Sequence, residues 1–181
     1  MMINYLKTLF FVVALGVAFS LLAEKTTEST VQVEQAVAMV PSGIPITERT
    51  PPCIKMYYFI EKYADKYDIP LKYAYGVANA ETGYRGPFHW GYNHEQTSHA
   101  GAVGPMQIMP STADMMWPDS SISVKRLRTD VEFNVHTSMK LLRHLHNRYG
   151  DWQIVFGCYN TGKPLVNDYA IKVYNFKTQF K

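Results

Sequence analysis

The sequence predicts a mainly helical fold, in which one folded domain follows an apolar N-terminal segment. The composition, 47% hydrophobic and 18% charged over 181 residues, is that of an ordinary globular protein and suffices for one compact domain with extensions. From residue 53 onward, apolar residues recur at helical spacing. No stretch of alternating apolar and polar residues is long enough to predict a substantial strand.

The N-terminus carries an uncharged, largely apolar stretch from residue 8 to residue 23, directly after Lys7. It is short for a membrane span, which needs roughly 20 apolar residues, and long for the apolar core of a cleaved signal, which has about 7 to 15. Residues 1–23 are therefore predicted to be either a signal peptide or a signal anchor. Residues 24–52, rich in Thr, Glu, Val and Pro, are predicted to form a flexible linker to the folded domain, residues 53–181.

Two helices are predicted at the start of the folded domain. The first, residues 54–67, carries Ile60 and Tyr63 on one face and ends before Pro70, because a proline disfavours helix in the residue before it. The second, residues 71–81, is almost without charge. Such all-round apolar character predicts a helix that is buried at the centre of the domain.

The segment that follows, residues 84–103, is rich in Gly, His and aromatic residues. Because it has neither a helical nor a strand period, it is predicted to be a long loop or a small hairpin. Ser111 is then expected to be the N-cap of a short helix, which Pro118 prevents from continuing.

The most regular helical pattern covers residues 131–149, where apolar residues recur every three or four positions up to a glycine. Thr129 and Glu132 have the spacing of a capping box and are expected to begin this helix. Two shorter helices are predicted at residues 152–159 and 166–176, separated by Gly and Pro.

Glu81 is the acidic residue with the clearest chemical signal. It stands at the C-terminal end of the apolar helix, where burial and the negative end of the helix dipole both favour its protonated form. A carboxylic acid that stays protonated near neutral pH can donate a proton to a glycosidic oxygen as the bond breaks. Taken alone this is weak evidence, because a single Glu in a helix is more often an exposed residue.

Four short motifs occur in order along the folded domain. They are Glu-Thr at 81–82, Ser-His-Ala-Gly-Ala-Val-Gly-Pro-Met-Gln-Ile-Met-Pro-Ser-Thr-Ala at 98–113, Asp-x-x-x-Asn at 130–134 and Tyr-Asn-Thr-Gly at 159–162. With these motifs the chain resembles the soluble lytic transglycosylase (SLT) domain family, whose members share an α+β lysozyme-like fold of mainly α character. The resemblance covers nearly the whole folded domain.

The resemblance implies a peptidoglycan lytic transglycosylase. Such an enzyme cleaves the bond between MurNAc and GlcNAc without water and leaves 1,6-anhydroMurNAc ends, and a single glutamate, here Glu81, acts as acid and base. The implied partner is the glycan strand of peptidoglycan. The implied location is the periplasm or cell envelope, with attachment to the inner membrane if the N-terminal segment is retained. The chain departs from the usual family residues at Thr82 and Pro105, where Ser and Leu are common.

The resemblance also implies a set of substrate-binding residues around Glu81. Glycines would let the backbone approach a sugar closely, and an amide side chain offers both a donor and an acceptor. The serine is expected near the catalytic carboxyl, and the tyrosines are expected to hydrogen-bond sugar or Glu81. For the last tyrosine, simple core packing explains the sequence equally well. The full set is Ser98, Gly104, Met106, Gln107, Tyr159, Asn160 and Tyr169.

The segment between Glu81 and Gly101 is longer than is typical for this family. Its aromatic residues suit stacking against sugar rings, and they suit equally well a small cluster that covers the helices. Its three histidines, at positions 89, 94 and 99, lack the i, i+4 spacing of a helical zinc site, so no metal is predicted.

The charge and the cysteine spacing limit which partners and bound metals can be expected. The net charge of +3 arises from scattered basic residues, so the sequence does not predict a nucleic-acid partner. Cys53 and Cys158 match no zinc-binding spacing and are expected to be either free thiols or one disulfide. No cofactor is expected.

Other functions remain open from the sequence. A hydrolytic muramidase of goose-lysozyme type shares the fold but needs water to capture the intermediate, and Glu95 would be the first candidate for a second carboxylate. A peptidoglycan-binding module without catalysis is supported only by the departures at Thr82 and Pro105. A zinc-dependent wall hydrolase is a more distant alternative.

Overall fold

Seven helices make up the regular structure of residues 45–178, the part of the chain that the computed structural model describes. The predicted signal or anchor at 1–23, and the predicted linker up to residue 44, concern residues outside this part. The helices are α1 (Pro52–Lys66), α2 (Leu71–Thr82), α3 (Pro110–Met116), α4 (Val124–Thr129), α5 (Val131–Tyr149), α6 (Trp152–Thr161) and α7 (Asp168–Tyr174).

The prediction of a mainly helical fold is confirmed, since no strand forms within residues 45–178. Between α2 and α3 the chain makes two isolated antiparallel bridges, one between Thr97 and Val103 and one between Val103 and Ile108. The long segment is therefore a loop with the beginnings of a hairpin. None of the helices in the described part of the chain has the length and apolar character needed to cross a membrane.

Helices α1 and α2 agree with the predicted ranges to within two residues. α1 begins at Pro52, because the fixed φ of proline suits the first helical turn and the Pro51 carbonyl accepts hydrogen bonds from the N–H groups of Ile54 and Lys55. As predicted, α2 is the buried central helix, and its residues from Tyr73 to Ala78 are all buried. α1 and α2 pack on each other, α1 also packs on α5, and α2 packs on α7.

The N-cap of α5 lies one residue later than the predicted capping box. Asp130 is the cap, and its Oδ1 accepts a hydrogen bond from Phe133 N at 2.9 Å. Thr129 is instead the last residue of α4. The Glu132 side chain pairs with α1, where Lys62 Nζ donates a hydrogen bond to Glu132 Oε1 at 2.8 Å. Because the Glu132 side chain pairs with α1, it does not make the hydrogen bond back to the N-cap that a capping box requires.

The prediction that Ser111 caps the short helix is wrong. α3 already begins at Pro110, with Met109 as its N-cap in an extended conformation, and Ser111 is an exposed residue inside the helix. α4 was not predicted at all, because six residues with one buried side chain show no apolar period.

The two cysteines are buried free thiols, so the alternative of a disulfide does not apply in this structure.

Candidate active site

Glu81 lies in the last turn of α2, and α7 supplies a hydrogen-bond donor to its carboxyl group. Tyr169 Oη donates to Glu81 Oε1 at 2.5 Å. α2 stops directly after this point because Gly83, with a φ of +69°, adopts the left-handed conformation that ends many helices. Of the two explanations that the sequence allowed for Tyr169, the structure supports the contact with Glu81.

Burial raises the pKa of Glu81 to about 7 from its ordinary value of 4.5. The hydrogen bond from Tyr169 and the positive charge of Lys172 both act to lower this pKa, and burial outweighs them. Near neutral pH a large share of the Glu81 side chains is therefore protonated. This is the state that a general acid needs before it can donate a proton.

A second tyrosine, Tyr159 of α6, lies near the same carboxyl group. Its Oη donates to the backbone oxygen of Met106 at 2.7 Å, so Ser138 Oγ, at 2.9 Å, is the donor in its other hydrogen bond. Burial, together with the negative charge of Glu81, raises the pKa of Tyr159 well above its ordinary value. The same causes raise the pKa of Tyr169. Two neutral phenols thus stand beside Glu81.

Asn134 of α5 holds the turn of residues 104–107 against the helix. Its side chain is fully buried, and all three of its hydrogen bonds go to the backbone. Nδ2 donates to the carbonyls of Val103 and Leu127, both at 2.9 Å, and Oδ1 accepts from Met106 N at 2.8 Å. The Asp-x-x-x-Asn motif therefore supplies a helix cap and a clamp for this turn.

Three residues of the turn were predicted to bind substrate, and the structure gives each of them a structural task. A Cβ on Gly104 would lie 2.3 Å from the Leu127 carbonyl oxygen, so packing alone requires glycine at this position. The Met106 side chain is fully buried. Gln107 Nε2 donates to the carbonyls of Gln96 and Gly104, at 3.1 and 2.8 Å. Their part in sugar binding stays a prediction.

Ser98 and Glu95 belong to the long loop. Ser98 Oγ accepts a hydrogen bond from Ala102 N at 3.0 Å, which closes a tight turn. Glu95 is exposed, and its Oε1 lies 3.7 Å from Nε2 of His94, whose pKa is lowered by burial. Within residues 45–178 neither side chain forms a hydrogen bond with Glu81, and no second carboxylate contributes to the raised pKa of Glu81.

Asn160 lies at the end of α6 and steadies the start of α7. Its Oδ1 accepts a hydrogen bond from Asn167 Nδ2 at 3.1 Å. Asn167 is in turn the N-cap of α7 and accepts from Ala170 N at 2.9 Å. Asn160 is exposed, so one face of its amide is open to a ligand.

A cavity of about 390 Å³ opens beside Tyr159. Its volume lies in the range of roughly 300 to 1,000 Å³ that is usual for small-ligand sites. Its lining brings together Tyr159 and Asn160, both predicted to bind substrate, with side chains of α3. The lining includes Met109, Thr112, Met115, Cys158, Tyr159 and Asn160. No cluster of residues suited to a metal ion occurs in the described part of the chain.

Sequence reasoning gave no role to Ser138 and Lys172, which the structure places in this network. Ser138 is completely buried, one helical turn after Asn134. Three polar residues on the buried, otherwise apolar side of α5, Asn134, Thr137 and Ser138, were a signal that could have been read. Nothing in the sequence indicates that Lys172 lies close enough to Glu81 to act on its pKa.

Known proteins that resemble this chain in sequence or structure include lytic transglycosylases. The family model described as the transglycosylase SLT domain matches residues 58–180. The 70 kDa soluble lytic transglycosylase SLT70 from Escherichia coli is 25% identical and superposes with a TM-score of 0.50 over 65% of this chain. Its complex with bulgecin A gives 26% identity, a TM-score of 0.49 and 65% coverage. An inactive mutant of the lytic transglycosylase Slt from Pseudomonas aeruginosa is 18% identical, with a TM-score of 0.47 over 68% of this chain. The chain spans only 18% to 21% of the length of these proteins.

Proposed function

Because the chain belongs to the transglycosylase SLT domain family, which it matches over residues 58–180, we propose that it is a peptidoglycan lytic transglycosylase. Its substrate is the glycan strand of peptidoglycan, and the bond that it cleaves joins MurNAc to GlcNAc. Glu81 is the acid and the base of the reaction.

One observation carries this proposal: a largely buried carboxyl group with a pKa of about 7 accepts a hydrogen bond from one neutral tyrosine, Tyr169, and has a second, Tyr159, nearby. The carboxyl is protonated often enough to act as a general acid near neutral pH. After it has given up its proton, the hydrogen bond from Tyr169 stabilises the carboxylate. The same group is then ready to act as a base.

The steps follow from this arrangement and from the family resemblance. Glu81 donates its proton to the glycosidic oxygen as the bond from that oxygen to C1 of MurNAc breaks, while the acetamido oxygen of the same sugar bonds to C1. The Glu81 carboxylate then removes the proton of the C6 hydroxyl, and O6 displaces the acetamido oxygen from C1. The product is a 1,6-anhydro ring, no water is consumed, and Glu81 is protonated again.

The electrostatics of Glu81 favour this lyase over a hydrolase of the goose-lysozyme type. A hydrolase with two carboxylates would hold them about 5 to 9.5 Å apart, and each would raise the pKa of the other. Within the described residues the pKa of Glu81 is raised by burial alone. A second acid is therefore not needed to explain the site.

The proposed location is the bacterial cell envelope, which the protein would reach by export through its N-terminal apolar segment. An enzyme that acts on peptidoglycan must meet its substrate outside the cytoplasm, and residues 1–23 have the composition of a signal peptide or signal anchor. If this segment is retained, it would attach the enzyme to the inner membrane.

The test is mass spectrometry of the fragments that the full chain releases from purified sacculi, beside the Glu81→Gln variant. The expected products end in 1,6-anhydroMurNAc, and Glu81→Gln should release less than about one thousandth of the wild-type amount, as the loss of an essential acid predicts. Far-ultraviolet circular dichroism of both proteins controls for folding.

Two outcomes would contradict the proposal. Fragments with reducing MurNAc ends would indicate a hydrolase and would require a second carboxylate. Binding to sacculi without release of fragments by either protein would indicate a binding module without catalysis.

A further inference from the structure

The long loop between α2 and α3 carries its aromatic residues in two sets that differ in exposure. Tyr84 and Tyr92 are buried, with 1% and 6% of their surface exposed, whereas Phe88 and Trp90 are 42% and 65% exposed. The sequence left two uses open for these aromatic residues, core cover and sugar stacking. In the structure, Tyr84 and Tyr92 cover the core, whereas the outer pair, Phe88 and Trp90, faces solvent.

The two exposed rings pack against each other. The rings of Phe88 and Trp90 meet edge to face, with centroids 6.1 Å apart. Backbone hydrogen bonds at 2.9 Å from Trp90 N to Phe88 O, and at 2.8 Å from Tyr92 N to His89 O, close the turn that presents them. Two rings that pack on each other before a ligand binds lose less conformational entropy on binding than two separate exposed side chains would.

The loop is tied directly to the catalytic helix through Tyr92. Thr82, the residue after Glu81, donates a hydrogen bond from its hydroxyl to the Pro105 carbonyl at 2.8 Å. Because that hydroxyl has one hydrogen, Tyr92 Oη is the donor in the 2.7 Å bond that joins it to Thr82 Oγ1. A side-chain hydrogen bond between Tyr92 and Thr82 thus links the turn that carries Trp90 to the end of α2.

A second tie joins the loop to the wall of the site. Gln96 Nε2 donates to the Thr82 carbonyl at 3.3 Å, and the Gln96 carbonyl accepts from Gly104 N and Gln107 Nε2 at 2.8 and 3.1 Å. The loop that carries Phe88 and Trp90 is therefore anchored both to the end of α2, next to Glu81, and to the turn of residues 104–107.

We propose that Phe88 and Trp90 form an aromatic platform that stacks on a sugar ring of the same glycan strand that is cleaved at Glu81. This inference rests on the proposed function, because a strand bound across Glu81 continues past the scissile bond and meets the neighbouring surface. The C–H faces of pyranose rings are apolar and pack well on aromatic rings.

The charge beside the platform fits the same occupant. The Arg85 guanidinium is exposed, and its Nη2 donates a hydrogen bond to His89 Nε2 at 3.1 Å. The peptides attached to MurNAc carry carboxylates, so a cation beside the stacking rings suits a peptide-bearing strand. No part of this arrangement requires a protein partner.

The experiment measures glycan binding by the full chain with the Glu81→Gln change, so that the ligand is not consumed. The ligand is a peptide-bearing glycan oligosaccharide prepared from sacculi, and Kd is measured by isothermal titration calorimetry. Adding Trp90→Ala should raise Kd about five- to tenfold, and adding Phe88→Ala should raise it somewhat less. Tyr58→Ala, at an exposed aromatic residue of α1, is the matched control and should leave Kd unchanged.

The outcomes separate this inference from the proposed function. If the chain with Glu81 intact releases anhydro products but Trp90→Ala binds glycan as tightly as Tyr58→Ala, the platform is wrong and the function stands. If the intact chain releases no such products, the proposed function fails first. Retention on anionic phosphatidylglycerol vesicles that falls with Trp90→Ala, while the glycan Kd stays constant, would identify a membrane contact and overturn the platform. Circular dichroism excludes unfolding of each variant.

Discussion

At the scale of the residue, the proposed reaction depends on one carboxyl group, that of Glu81, which is partly protonated near neutral pH. Burial at the end of α2 raises the pKa of Glu81, and the hydrogen bond from Tyr169 limits the rise. The pKa is left at about 7, so both protonation states of Glu81 are populated near neutral pH. A group with this pKa can both give and take a proton without a large free-energy cost.

The raised pKa of Glu81 also makes stability depend on pH. The unfolded chain ionises this group near its ordinary 4.5, and the folded chain does so near 7. The stability that the protonated carboxyl contributes is therefore fully present below pH 4.5 and is lost as the pH rises through about 7. We expect Glu81→Gln to be more stable than wild type by about 2 kcal/mol near pH 8.5, and to match it near pH 4.

Urea unfolding of both proteins at the two pH values tests this prediction. A difference between the proteins that is the same at both pH values would mean that the pKa of Glu81 in the folded protein is not raised.

Tyr169 is expected to set the alkaline side of the pH profile. Its hydrogen bond lowers the pKa of Glu81, so Tyr169→Phe should raise that pKa and move the alkaline fall of kcat/KM to higher pH. The variant also loses a hydrogen bond to the charged carboxylate, which should lower kcat about tenfold. Turnover of sacculi fragments from about pH 5 to 9 checks both effects.

For Tyr169→Phe, lower activity without a shift of the profile would indicate that Tyr169 contacts the sugar and does not tune Glu81. Tyr58→Phe is the matched control, because Tyr58 is an exposed tyrosine of α1.

At the scale of the element, the site exists because α7 packs closely on α2. Gly76, at the middle of α2, is the point of contact: a Cβ there would lie 3.0 Å from both the Val173 carbonyl oxygen and the Cβ of Phe176. Val173 and Tyr169 are one turn apart on α7, and Gly76 and Glu81 are five residues apart on α2. The close approach of α7 to α2 at Gly76 therefore brings Tyr169 within hydrogen-bonding distance of Glu81.

Gly76→Ala should push α7 away from α2. Alanine favours helix over glycine by about 1 kcal/mol, yet overpacking typically costs about 1 to 3 kcal/mol, so a net loss of roughly 1 kcal/mol is expected. Because the displaced helix carries Tyr169, turnover should fall as well. Thermal unfolding and the sacculus assay measure the two effects.

Gly91→Ala is the control for the stability effect, because a Cβ at Gly91 meets no atom within 4 Å. Its melting temperature should stay close to that of wild type. A Gly76→Ala variant that is as stable and as active as wild type would show that α7 yields without cost, and that its distance from α2 is not set at this position.

At the scale of the whole molecule, the short segment of residues 45–51 belongs with the helices that follow it. Residues from Pro45 onward group with the helices in one compact unit. Lys55 Nζ donates to the Glu48 carbonyl at 3.1 Å, and the Pro51 carbonyl accepts from two N–H groups of the first turn of α1. The segment 45–51 thus completes the N-terminal end of α1.

Two truncations test the role of this segment. A chain that begins at residue 45 should melt within about 2 °C of the full chain, because it keeps the compact unit. A chain that begins at residue 53 loses the Pro51 acceptor and should be less stable by roughly 1 to 2 kcal/mol. Calorimetry of the three proteins is the measurement, and equal melting temperatures for both truncations would contradict the role of residues 45–51.

Local patterns predicted the elements whose signals are local. The apolar periods of α1, α2 and α5 gave ranges close to the observed ones, because a helix that buries one face must repeat that face every three or four residues. The predicted capping box failed because a tertiary contact competes with a local one: Glu132 pairs with Lys62 of α1. The predicted cap at Ser111 failed for a local reason, because Pro110, whose fixed φ suits the first helical position, begins α3 one residue earlier.

The sequence by itself determined the helical class, the central position of α2 and Glu81 as the catalytic candidate, since these depend on hydropathy, on helix ends and on four motifs of one chain. The tertiary structure alone decided which groups act on Glu81 and which aromatic residues of the long loop stay exposed. The reason is physical: Tyr169 is 88 residues from Glu81 along the chain, and their hydrogen bond exists only where α2 and α7 pack. Burial, which sets the pKa, belongs to that packing and to no single segment.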